Sequence, residues 1–153
     1  MNVNYSLAAK RAEYARNAVL SASPARLLTM LYDRLLLDLS RAEAAQLQAD
    51  WAVASENLIH AQAIITELLG TLKTDVWDGA ENLQAIYTYS LSTLVSANVG
   101  RNPKLTRECI DLLEPLRLAW HEAAAELSAP GTVPAAGAVP AAVGGSGAIL
   151  GVG

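Results

Sequence analysis

The chain has 153 residues, 52% of them hydrophobic, no Phe and a net charge of -4. That is enough length for one domain with a real core, and too acidic a balance for the basic stripe that binds nucleic acid or for docking on anionic lipid. Its one cysteine, Cys109, excludes an intrachain disulfide and fits a reducing compartment.

The first piece, Met1 to Ala22, is polar and weakly patterned. Leu7, Arg11 and Tyr14 would share a helical face, but one of them is charged. It reads as a mobile N-terminal arm or short helix. It has no continuous apolar stretch of the kind a secretory signal needs. No apolar run elsewhere is long enough to span a bilayer. The expectation is a soluble, cytoplasmic protein without membrane insertion.

Ser23-Pro24 starts the first long helix: Ser caps orphan N–H groups, and Pro at the first helical position forfeits no hydrogen bond. This helix runs to about Leu47. Leu28, Leu31, Leu35, Leu39 and Ala42 form one stripe, and Leu27, Met30 and Leu37 a second, so it is contacted on two sides. Asp50 caps the next helix. There Trp51, Ala54, Leu58, Ala61, Ile65, Leu68 and Leu72 recur at alternating spacings of three and four, one stripe of an α-helix. Ile59, Ile64 and Leu69 fall off that ladder; with the second stripe of the first helix they are candidate linings of an apolar groove, the alternative being that broader packing of the four helices covers them.

Asp78-Gly79-Ala80-Glu81 has capping-box spacing and opens the third helix, with Leu83, Ile86, Tyr87, Leu94 and Ala97 inward and Gly100 placed to end it in a left-handed turn. Asn102-Pro103 repeats the cap-then-proline signal. The last helix puts Leu105, Cys109, Leu112, Leu116, Ala119 and Ala123 on one stripe, with Trp120 a candidate plug at one end of the core. Pro115 lies inside it and predicts a kink at Asp111 or a break into two helices. Residues 128–153 carry no charge and little beyond Gly, Pro, Ala and Val, which predicts a disordered tail. Short loops between long helices predict an all-α, antiparallel up-down four-helix bundle with crossing angles near ~20°. The division is residues 1–22 as the arm, 23–127 as the bundle and 128–153 as the tail.

Catalytic chemistry is missing from this pattern. A di-iron bundle needs Glu-x-x-His on two helices, and neither His60 nor His121 ends such a motif. Glu56 and His60 are one turn apart, without companions for a metal, and read as a solvated face. Cys109 falls on an apolar stripe without a neighbouring base, as a packing thiol does. There is no glycine-rich phosphate loop. We therefore expect no enzyme, no cofactor, no metal and no small-molecule substrate.

Some polar residues exceed what a bundle needs. Asn57, His60 and Glu67 line one face of the second helix with Ile64, Asn82 and Tyr89 line the third, and Asn98 ends it. Asn is a poor helix former, so these suggest specific hydrogen bonds, either within the monomer or to a partner.

Read together, ordered stretches of the chain resemble the FliS family of flagellar export chaperones. They are Tyr14-x-x-Asn17, Ser21-Ala22-Ser23-Pro24, Leu28-Thr29-Met30-Leu31-Tyr32-Asp33, and Asn57 through Ile65 with Leu68. Asn82-Leu83, Tyr87-x-Tyr89, Leu94, Ala97-Asn98 and Leu116-Arg117-x-Ala119-Trp120 follow in order. The resemblance covers Tyr14 to about Ala124 and implies an antiparallel bundle whose N-terminal segment can lie over its own groove. It implies binding of the disordered C-terminal segment of flagellin in the cytoplasm, which prevents premature polymerisation. Delivery to the type III export gate protein FlhA would follow. Carried over by motif position, Asn57, Gln62, Ile64, Asn82, Tyr89 and Asn98 would shape or support the flagellin groove, and Tyr14 would meet FlhA.

Three residues depart from the family pattern. Arg11 stands one turn before Tyr14 where a bulky apolar residue is usual, His60 stands where Lys is common, and Pro115 interrupts the last helix. The tail lies outside the resemblance. Its apolar Ala148-Ile149-Leu150-Gly151-Val152 either folds back on the groove or belongs to an inert linker. Two other readings stay open: a secreted helical protein of the WxG type, on the strength of Trp77-Asp78-Gly79, and a self-associating structural bundle.

Overall fold

The computed structural model describes residues 3–73, 75 and 78–128. These form five helices: α1 (Val3–Ser21), α2 (Pro24–Leu47), α3 (Trp51–Thr71), α4 (Gly79–Val99) and α5 (Pro103–Ser128). Among the described residues there is no strand, and no helix long and apolar enough to cross a membrane. The tail from residue 129 onward, and Trp77 of the WxG tripeptide, lie outside the described residues.

Helices α2 to α5 form the bundle. α2 packs on α3 and α5, and α4 packs on the same two, so sequential helices are antiparallel neighbours and α2 faces α4 across the diagonal. The caps work largely as their residue types dictate. Arg26 N donates to Ser23 Oγ at 3.2 Å, Val53 N to Asp50 Oδ1 at 3.3 Å, and Lys104 N to Asn102 Oδ1 at 3.0 Å.

Two turns differ from expectation. Asp78 precedes α4 in a helical conformation and its side chain caps nothing, so the capping box does not form. Gly100 is right-handed at φ -86°, and the left-handed residue is Arg101 at φ 51°. The helix continues one residue further because Gly100 N still bonds Ser96 O at 2.9 Å. The strain at Arg101 is borne where its guanidinium lies 5.1 Å over the Trp51 ring.

The arm is a helix of 19 residues, longer than a short one. Its alanines at positions 8, 9, 12 and 15 favour helix by propensity, although no apolar stripe marks it. Residues 6–17 are all exposed.

Leu35, Leu39, Leu58, Ile65, Leu83, Leu94 and Leu113 are almost wholly buried, and burying each contributes about 1.5–3 kcal/mol before entropy is counted. The α3 ladder holds from Ala54 to Leu68, but Ile64 joins the same core at 6% exposure. It is thus taken up by bundle packing rather than left off the ladder. In α5 the buried face is Thr106, Cys109, Ile110, Leu113, Leu116, Ala119 and Trp120, while Leu112 is 37% exposed. The stripe is turned so that Leu113, not Leu112, faces inward. Pro115 is exposed within an unbroken α5, so the helix does not split.

Candidate functional site

The two ends of the bundle are built differently. At the end where α3 and α5 begin, small and polar side chains close the core. Buried Gln46 donates to Ala97 O at 3.2 Å and accepts from Thr106 Oγ1 at 2.7 Å, tying α2 to α4 and α5. Asn98 Nδ2 donates to Ser55 Oγ at 3.2 Å, tying α4 to α3. Cys109 is fully buried against Ser90 O, and burial pushes its thiol up to about 12, which leaves it inert as a nucleophile.

At the opposite end three aromatic rings fill one layer. Tyr32 of α2 and Tyr87 of α4 share a hydrogen bond across the diagonal, and Tyr32 lies 6.3 Å from the Trp120 ring of α5. Burial raises both phenols, Tyr32 to about 12, so the pair stays neutral. Beyond Trp120, no residue of α5 lines the space that remains between α2 and the end of α3.

The result is an apolar groove of about 800 Å³. Pro24, Leu27, Leu28 and Leu31 of α2 form one wall, and Leu68, Thr71 and Leu72 at the end of α3 form another. Leu83, Tyr87 and Trp120 form the floor, with Glu67 and Lys73 as the charges of the lining. Leu27 is 37% exposed, while Leu28, Leu31 and Leu72 pack only partly against the core. A shallower hollow runs beside the groove between the start of α2 and the end of α5, and Pro24 lines both.

Charged groups fix α2 to its neighbours on its flanks. Asp33 accepts from His121 Nε2 at 2.6 Å and from Arg117 Nη1 at 3.1 Å. Partial burial raises the Asp33 carboxyl, but those two hydrogen bonds outweigh it and hold the group below its ordinary value. Asp38 is fully buried and pairs with Arg34 at 2.9 Å and with His60 Nδ1 across the α2–α3 interface. His60 is therefore tied to a buried carboxylate and is not merely part of a solvated face, whereas Glu56 is exposed. The signal in the sequence was a lone Asp inside Leu35-Leu36-Leu37-Asp38-Leu39.

The candidates carried over by motif position sit outside the apolar groove. Asn57 is half-buried and its Nδ2 donates to Val53 O at 2.9 Å within α3. Gln62 is half-buried on α3, and Asn82 is exposed at the start of α4. Tyr89 is half exposed and its hydroxyl donates to Glu108 of α5, which raises the phenol above its ordinary value. Asn98 lines a small polar hollow at the closed end with Trp51 and Arg101. Ile64 is in the core, and Tyr14 is 82% exposed on α1. Of the candidate groove linings, Leu27 lines the groove, whereas Ile59 is exposed elsewhere and Ile64 and Leu69 pack in or against the core; Leu28, Leu31 and Leu72, read as core stripe, complete the walls. Among the described residues no three of His, Cys, Asp or Glu group in a way that could hold a metal.

Comparison with known proteins bears on this arrangement. The family model described as flagellar protein FliS matches residues 6–127. The flagellar secretion chaperone FliS of Bacillus subtilis (strain 168) is 34% identical over 110 residues, covering 72% of this chain and 82% of the relative. The flagellar secretion chaperone FliS of Salmonella typhimurium is 32% identical over 108 residues, or 69% and 80% of the two chains. That of Vibrio cholerae is 28% identical over 103 residues, or 67% and 76%. An all-helical bundle, a large unfilled apolar groove and a family match across the whole bundle agree: the chain belongs to the FliS family of flagellar secretion chaperones, which are not enzymes.

Proposed function

We propose that this export chaperone works in the cytoplasm and binds the C-terminal segment of flagellin, anchoring it in the groove between Leu27, Leu28 and Leu31 on one side and Leu68 and Leu72 on the other. The observation that carries the reading is the groove itself: about 800 Å³ of apolar-walled space in a small domain, unfilled by its own helices. A disordered client must bury roughly 1,000–3,000 Å² to offset its ordering cost. The groove serves as one anchor, and the rest of the segment runs over neighbouring helix faces. Asn57, Gln62, Asn82, Tyr89 and Asn98 are the polar groups proposed to set its register, with Ile64 supporting them from the core. Held in this way, flagellin cannot polymerise before export.

Delivery to the export gate protein FlhA is the second half of the proposal. Tyr14 is its contact residue, supported by a ring that is 82% exposed on a helix whose residues 6–17 are all exposed. Arg11 lies one turn before it, so the gate surface meets a charge there. Calorimetry of the full chain against the flagellin C-terminal segment tests the first half. One-to-one binding with a negative heat-capacity change is expected, and no binding by the folded chain overturns it. Tyr14→Ala should leave that binding intact and weaken capture by FlhA; unchanged capture removes Tyr14 from the gate.

A further inference from the structure

We propose that residues 148–152 of this chain, Ala-Ile-Leu-Gly-Val, dock in the chain's own apolar groove and compete with whatever that groove binds. The family match ends at residue 127, so the segment that would do this is an addition to the shared bundle. Its point of departure is the first support. Leu127 and Ser128, the last residues of α5, line the hollow beside the start of α2, and Pro24 belongs to both that hollow and the groove. The chain thus leaves the bundle at the rim of the groove, not at the closed end.

Reach is the second support. Trp120, in the groove floor, lies eight residues before Ser128, or about 12 Å along the helix. Nineteen residues of Gly-, Ala- and Pro-rich sequence separate Ser128 from Ala148, a length whose root-mean-square span as a random coil is roughly 24 Å. The linker therefore exceeds the gap without wasting length, which places the segment at an effective concentration on the order of millimolar.

Chemistry is the third. Residues 128–153 hold no charged side chain, so entering an apolar groove takes no charged side chain out of water. The one Ile and the one Leu of residues 129–153 are adjacent, at 149 and 150, and a groove walled by leucines offers both of them burial. Two such side chains give only weak intrinsic binding, comparable to the effective concentration. The groove is then occupied for about half of the time, as suits a placeholder that a larger client displaces.

The test uses the full chain. A spin label is attached through Ser146→Cys; Cys109 is fully buried and is spared. Leucine methyl signals are then read by NMR. The methyls of Leu28, Leu31 and Leu72 should broaden, Leu105 at the opposite end should stay sharp, and adding I149D/L150D should restore the groove signals. Three results overturn the proposal: groove methyls as sharp as Leu105, broadening that survives I149D/L150D, or broadening that grows with protein concentration and so assigns the groove to a second copy. A second measurement rests on the flagellin reading. In the unlabelled chain, I149D/L150D should tighten the flagellin segment about twofold, and equal affinity overturns the competition. Failure of flagellin to bind at all would strike that reading only, because the relaxation measurement needs no client.

Discussion

The two ends of this bundle use the same four helices for opposite purposes. Where α3 and α5 begin, alanines at positions 42, 45, 54 and 97 with Cys109 let the helices close, and Gln46 joins three of them by hydrogen bonds. Where they end, Tyr32, Tyr87 and Trp120 fill one layer, and beyond Trp120 α5 adds no side chain to the groove lining. Side-chain volume, layer by layer, decides which end is a lock and which is a groove. The lock gives both side-chain polar atoms of Gln46 a partner within the bundle, so Gln46 itself has little to offer a client. The groove keeps leucines half covered, and that unspent burial is what a client can use.

The comparison can be broken most severely at Trp120. Trp120→Ala removes the bulk of the aromatic layer and should cost about 3–5 kcal/mol in urea unfolding. A loss below about 1 kcal/mol would mean that the rings do not hold the open end. The lock is probed by Gln46→Ala, which strands the buried Thr106 hydroxyl and removes one of the two hydrogen bonds to the Ala97 carbonyl, the other coming from Asn102 N. It should cost about 1–3 kcal/mol and leave affinity for the flagellin segment unchanged. A fall in affinity would show that the ends are not independent.

The groove is probed in reverse by Leu27→Asp, at a side chain that is 37% exposed. Affinity for flagellin should fall at least about tenfold, or ~1.4 kcal/mol, with little change in the unfolding midpoint. The smallest effect belongs to the flank. The Asp33 carboxyl is held low in the folded chain, so its contribution is present above the unfolded carboxylate value of about 3.9 and is lost as pH falls through the lower folded value. Asp33→Asn should flatten the acid limb of stability by less than about 1 kcal/mol, because the side chain is 44% exposed. An unchanged limb would remove Asp33 from acid unfolding.

Much of the fold was legible because the signals are local. Ser23-Pro24, Asp50 and Asn102-Pro103 state where helices begin, and the α3 ladder states which face is buried. The failures have local causes too. α1 forms through alanine propensity, which leaves no periodic trace. Leu112 and Leu113 are adjacent, so spacing alone could not say which one α5 turns inward. Gly100 looked like the left-handed residue, but Arg101 takes that role beside Trp51.

The groove is different in kind. Leu27 stands on the second stripe of α2, but Leu28, Leu31, Leu68, Leu72 and Leu83 sit on the main stripes and looked like core. Leu28, Leu31 and Leu72 are left partly covered, because α5, far along the chain, lines the groove with nothing beyond Trp120. That absence is visible only once four helices are assembled. The buried Asp38–His60 pair was hidden for the same reason, since its partners lie on separate helices.

The most direct measurement is methyl chemical-shift mapping of the full chain on addition of the flagellin C-terminal segment. Binding in the groove predicts that the methyls of Leu27, Leu28, Leu31 and Leu72 shift strongly and in step, while those of Leu105 at the closed end stay in place. Saturable binding that leaves the groove methyls unmoved would contradict the assignment of the aromatic end as the client site.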